Sequence, residues 1–194
     1  MVTRMLISAG IALAYIIATV FVQKRIPASM SALCYTFKGA WRWLWSLWIW
    51  TTMILLAFDL IPDMPEKYQV FAFATCACLL FVGAMPLFDI EKNTTHNILG
   101  IGAGVFSQIC VMIMAPQVLW GWIVLVPIAI DFGWRMIRLS RLTAPLLGIK
   151  PYNPHRFYDD CIVFILEVIA TTNTYTALYF VSHSQLAFHI FAVE

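Results

Sequence analysis

Apolar residues run along this chain in long stretches separated by polar gaps. The first is Met5 to Val22, the second Trp43 to Ile61 and the third Val70 to Phe88. A longer uncharged stretch runs from Asn93 to Ile130, and Pro116-Gln117 is its natural break. The last, Cys161 to Val181, carries Glu167 in its interior. A helix that crosses a bilayer needs about 20 mostly apolar residues. The pattern therefore predicts an all-α polytopic membrane protein. It is expected to be one domain over 1–194, a bundle of six transmembrane helices near 5–22, 43–61, 70–88, 98–116, 118–134 and 161–181.

Charge then orients the bundle. Ten of the twelve Lys and Arg residues fall in alternate gaps. Lys24, Arg25, Lys38 and Arg42 follow the first stretch, Lys92 follows the third, and Arg135, Arg138, Arg141, Lys150 and Arg156 follow the fifth. Only Arg4 and Lys67 lie on the other side. Positive loops stay in the cytoplasm. A plasma (inner) membrane location is predicted, with both termini on the non-cytoplasmic side. Lys24 and Arg25 stand where a signal-peptide cleavage region would be small and neutral, so the first stretch reads as an anchor.

Composition agrees with this class. The chain is 62% hydrophobic and 11% charged, whereas a soluble domain carries about 25% charged residues. Basic residues beside membrane stretches, and not on one soluble face, argue against a nucleic-acid partner. The bilayer is the expected partner. Arg135, Arg138 and Arg141 recur at every third position among apolar residues, which suits a helix lying against anionic lipid or a plain stop-transfer anchor. The five Cys are odd in number and mostly lie in apolar stretches, so they read as small buried hydrophobes. No cofactor motif is present.

Two patterns bear on packing. Trp41, Trp45 and Trp48 share one helical face, and Trp43 and Trp50 another. They suit an interfacial belt running into lipid contact, or a stacking wall for a ring-bearing ligand. Gly100 and Gly104, with Ala103 and Ser107, form a small-residue surface expected to pack closely within the bundle or in a homo-oligomer. Ala14 and Ala18 are a weaker version, suited to a partner membrane protein.

Ionisable groups within membrane helices are costly and mark candidate sites. Asp131 stands four residues before Arg135, the spacing of a helical ion pair, and Asp59 lies near the outer end of its stretch. Glu167 has neither excuse. Asp160, Glu167, Thr171 and Thr174 share one face, a polar stripe that should look into the bundle. Asp89, His96, His155 and Asp159 fall, with Asp160, on the basic side. His96, His155 and these carboxylates offer ligands for a divalent metal, whose bound water would attack an ester or phosphate. Their spacing matches no established metal motif.

The stretch Phe81 to Asp89 (FVGAMPLFD), followed by His96 to Ala103 (HNILGIGA), resembles the third and fourth helices of Frag/DRAM-like six-span proteins and their bacterial relatives. Ile26 to Tyr35 is similar to the polar first loop of those proteins. The resemblance covers about a third of the chain. It implies six helices and roles for Asp89 and His96, and it implies no reaction. Two departures stand out. Ser31 is followed by Ala32 where that family pairs Ser with an acid, and the charges here place the first loop inside. The leading expectation is a non-enzymatic module that binds a lipid, a small ligand or a partner protein. The alternatives are a small-solute transporter or its substrate-binding subunit, and a membrane-embedded metal-dependent lipid hydrolase.

Overall fold

The computed structural model describes residues 2–24, 26–27, 29–30, 39–84, 94–139, 146, 148 and 157–191. Among these, every long element is an α-helix: α1 Val2–Gln23, α2 Trp43–Asp63, α3 Gln69–Gly83, α4 Thr94–Met114, α5 Trp120–Leu139 and α6 Phe157–Phe191. Each of the six predicted apolar stretches carries one helix. The described residues are all-helical, and among them three helices are long and apolar enough to cross a membrane: Thr3–Val22, Trp43–Asp63 and Cys161–Ser184. Ile98–Met114 is apolar but shorter.

Helix ends follow local chemistry. Lys24 takes a positive φ of 52° just after α1, and Pro27 follows three residues later. α2 tolerates Pro62 in its last turn and stops at Met64, whose backbone is extended ahead of Pro65. A 3-10 turn over Glu66–Tyr68 leads into α3. The long uncharged stretch divides at Pro116, which lacks an N–H and sits at the start of a 3-10 turn, Pro116–Leu119. The Ala115 N–H caps the preceding helix on the Val111 carbonyl at 2.9 Å. Pro127 lies inside α5 without ending it. α3 ends at Gly83, short of the expected 88; residues 85–93, with Pro86 and Asp89, lie outside the described residues. α6 is 35 residues long, roughly 52 Å at the helical rise. It therefore outruns both the expected 161–181 and a hydrocarbon core of about 30 Å.

α3 packs between α2 and α4, while α6 touches α1, α2, α4 and α5. α6 is thus the central helix, and α5 docks on it from outside. The buried apolar centre joins Met5, Leu56, Leu60, Ala72, Cys110 and Leu178 from five helices. The exterior is rich in apolar side chains, and several polar ones are buried among the helices. Ser8, Ser46, Asp59, Thr75, Ser107, Gln108, Asn173, Thr174 and Ser182 are buried. Leu6, Leu13, Phe21, Phe58, Phe73, Ile101, Ile123 and Ile130 are among the many large apolar side chains left exposed.

Interhelical polar pairs stitch this interior. Arg4 donates to Asp59 through Nε at 2.8 Å and Nη2 at 2.6 Å. The Ser8 and Tyr175 hydroxyls share a hydrogen bond of 2.6 Å. The Asn173 amide donates to Gln108 Oε1 at 3.1 Å, and Gln108 donates to the Ala170 carbonyl at 3.0 Å. The helical pair read from spacing, Asp131 with Arg135, forms at 2.9 Å.

A candidate ligand cavity between four helices

α2, α3, α4 and α6 do not close completely on one another. They leave a cavity of about 160 Å³, which Ala12 of α1 and Met30 also border. On α2 the lining runs from Trp45 to Leu56, and on α4 from His96 to Ser107. Each run is eleven residue steps, roughly 16 Å along the helix. The cavity therefore extends from the basic end of the bundle well into its interior.

α6 supplies the polar side. Glu167, Thr171 and Thr174 all border the cavity, together with Ala170 and Tyr175. Their spacing of four and then three residues places them on one helical face. Glu167 accepts a hydrogen bond from the backbone N–H of Met30. Part of the loop after α1 therefore reaches into the bundle. Sequence reasoning missed Met30, because a backbone donor leaves no trace in residue type.

α2 supplies an aromatic wall. Trp45 and Trp48 are 1% and 6% exposed, so this face turns inward. Trp48 stacks on Tyr15 of α1 at 4.4 Å between ring centroids with planes 11° apart, and Trp45 leans on Trp48 at 5.1 Å. The indole N–H groups of Trp45 and Trp48 are buried without a hydrogen-bond partner among the described residues. Trp41 and Trp43 behave differently: both are exposed, at the basic-side end of the helix. The Trp series thus divides along the chain, with Trp41 and Trp43 turned outward and Trp45 and Trp48 turned inward.

α4 supplies the space. A Cβ built at Gly100 or Gly104 would meet nothing within 4 Å. This corrects the expectation of close packing within the bundle at these glycines. They border the cavity and hold it open. The packing glycine of α4 is Gly102, where a Cβ would lie 3.2 Å from Cys78 Sγ of α3. Ala103 and Ser107 are buried and border the cavity too. Ala14 and Ala18 of α1 are exposed, and Ala12 is the alanine that turns inward.

His96 stands in the first turn of α4, two residues before the apolar stretch Ile98–Met114. It borders the same cavity as Glu167. Burial pushes its imidazole below the ordinary histidine pKa, so the neutral ring dominates near pH 7.

The remaining candidates are not placed by this geometry. Asp89, His155 and Arg141 lie outside the described residues, as does Cys34. Asp159 and Asp160 fall in the first turn of α6 and Arg138 near the end of α5, but their side chains also lie outside the description. Arg135 is tied to Asp131. Among the described residues no three His, Cys, Asp or Glu side chains are grouped to hold a metal ion. Comparison of the chain with protein-family models, with curated proteins and with solved structures finds no match.

Proposed function

We propose that this chain is a six-span plasma-membrane protein that binds a lipid or small ligand in the cavity between α2, α3, α4 and α6, without catalysing a reaction. The observation that carries the reading is the convergence of Glu167, His96, Thr171 and Thr174 on one cavity walled by Trp45 and Trp48. Buried polar groups without partners cost about 1–3 kcal/mol each. A bound molecule with an acceptor within reach of the two indoles would offset part of that cost. The membrane setting is supported by the exposed apolar side chains, since an apolar exterior of this extent suits lipid and not water.

The test is purification in mild detergent followed by native mass spectrometry. Wild type is expected to carry a non-covalent ligand. Gly104→Leu, which projects a side chain into the open space, is expected to lose it while keeping its helical content. Glu167→Ala is expected to weaken retention at least about tenfold, or about 1.4 kcal/mol. A ligand-free wild type that takes up none, with Glu167→Ala indistinguishable from it, would overturn the reading. Orientation has its own check. A reporter fused after Glu194 is expected to read non-cytoplasmic, and a cytoplasmic signal would invert the bundle.

A small-solute transporter, or the substrate-binding subunit of one, is a second reading. It is favoured by the reach of the cavity along α2 and α4, about half of a hydrocarbon core near 30 Å. Unchanged uptake across a metabolite panel on deleting the protein would count against it.

A further inference from the structure

The lining of the cavity has a one-sided hydrogen-bonding character. Thr52 donates its hydroxyl proton to the Trp48 carbonyl at 2.6 Å, and Thr75 donates to the Phe71 carbonyl at 2.9 Å. Ser107 donates to the Gly104 carbonyl at 2.8 Å, and Thr174 donates to the Ala170 carbonyl at 3.0 Å. Each of these residues borders the cavity, and each has turned its proton back into its own helix. What a hydroxyl then has left to offer is an oxygen lone pair. Tyr175 is engaged with Ser8, which in turn lies 3.4 Å from the Thr52 carbonyl. If Ser8 donates to that carbonyl, the tyrosine proton is committed to Ser8 as well.

The one carboxylate adds to this. Among the described residues, Glu167 is the only Asp, Glu, Lys or Arg that borders the cavity. An ionised carboxylate offers about four acceptor sites, and the Met30 N–H fills one. Among the described residues, neither salt bridge involves Glu167. Beside it stands the stacked Tyr15, Trp48 and Trp45 group, against which Met30 itself packs. Aromatic faces attract cations, most strongly those of Trp in a desolvated setting. The lining thus combines a carboxylate, hydroxyl lone pairs and π faces. The two indole N–H groups, the ring N–H of His96 and the hydroxyl of Thr171 are the exceptions, and they suit acceptor atoms elsewhere on the same molecule.

Resting on the cavity-binding reading above, we infer that the ligand is an organic ammonium ion, its charged nitrogen on Glu167 and its apolar body along the Trp45–Trp48 wall. An anion would meet acceptors on most sides. A purely apolar molecule would leave the carboxyl without a counter-charge in a low-dielectric interior, where it would take up a proton and lose its acceptor strength.

Three small aromatic probes of similar bulk separate charge from shape: benzylammonium, its neutral isostere ethylbenzene, and benzoate. Binding is measured by titration calorimetry on the full chain in lipid nanodiscs, for wild type, Glu167→Gln and Gly104→Leu. Benzylammonium is expected to bind wild type at least about tenfold tighter than ethylbenzene, with benzoate weakest. Glu167→Gln, close in shape and uncharged, is expected to abolish that preference while still binding ethylbenzene. Ethylbenzene or benzoate equalling benzylammonium on wild type would overturn the ammonium inference and leave the cavity reading standing. So would a preference that survives in Glu167→Gln. If none of the probes binds wild type, and Gly104→Leu behaves identically, both readings fall together.

Discussion

Arg4→Ala is expected to destabilise the folded bundle by about 2–3 kcal/mol. Asp59 is 2% exposed, and both nitrogens that Arg4 directs at it meet the same oxygen, Oδ1. Removing the guanidinium leaves a carboxylate sealed in the bundle without its cation. Breaking a fully buried pair costs about 3–5 kcal/mol. The figure here is lower because the Arg4 side chain is 41% exposed and water screens part of the attraction. Arg4 also donates from Nη2 to the Phe58 carbonyl at 3.1 Å and lies 5.4 Å from the Phe58 ring centroid. Those contacts go with it.

The sign of an asymmetry makes the prediction specific. Asp59→Asn leaves Arg4 partly in water, where its charge is hydrated at little cost, so it should cost less than Arg4→Ala. Arg4→Lys should fall between wild type and alanine, since it keeps the charge and loses the planar fork. In thermal unfolding in detergent, a loss of this size lowers Tm by roughly 5–10 °C for a chain of this length. A shift under about 1 °C for Arg4→Ala, or a larger one for Asp59→Asn, would remove the pair from the list of what holds α1 against α2.

That pair also marks the boundary of what could be read from sequence. Charge asymmetry already put Arg4 and the Asp59 end of α2 on one side of the bundle. It could not bring residues 55 apart in the chain into contact, because register between helices depends on packing and not on spacing within either helix. The stripe Glu167, Thr171, Thr174 was legible because it lies on one helix, where the 3.6 period fixes direction. The Asp131–Arg135 bridge was legible for the same reason. Trp45 and Trp48 could be assigned to a common face, but whether that face met lipid or the interior depended on Tyr15 of another helix. Gly100 and Gly104 were misread because glycine has two opposite uses. A missing side chain allows a neighbour to come close, or leaves room when none does. Sequence shows the missing side chain and not the neighbour. The break at Pro116 was legible because the cause, an absent N–H, is written in the residue itself.

Gly121 shows the other use of glycine, and it yields the second large effect. A Cβ at this position would sit 2.0 Å from Asn173 Oδ1, 2.7 Å from its Cγ and 2.8 Å from its Nδ2. Asn173 is 1% exposed and donates to Gln108, so it has little freedom to retreat. Gly121→Ala must therefore displace Asn173, break its hydrogen bond to Gln108 and push α5 away from α6. Overpacking costs about 1–3 kcal/mol, and losing a buried hydrogen bond adds roughly 1 kcal/mol. A total near 2–3 kcal/mol is expected, with α5 more open to protease than in wild type. α5 packs mainly on α6 among the long helices, so little else holds it. The decisive measurement is a double-mutant cycle. Asn173→Ala removes every atom named in the clash while costing its own hydrogen bond. In that background Gly121→Ala should become nearly neutral, giving a coupling of at least about 1 kcal/mol, well beyond the additivity expected of independent sites. If the two substitutions instead add, the contact between Gly121 and Asn173 is not what seats α5 on the central helix, and the small residue there must be explained by something other than the asparagine it faces.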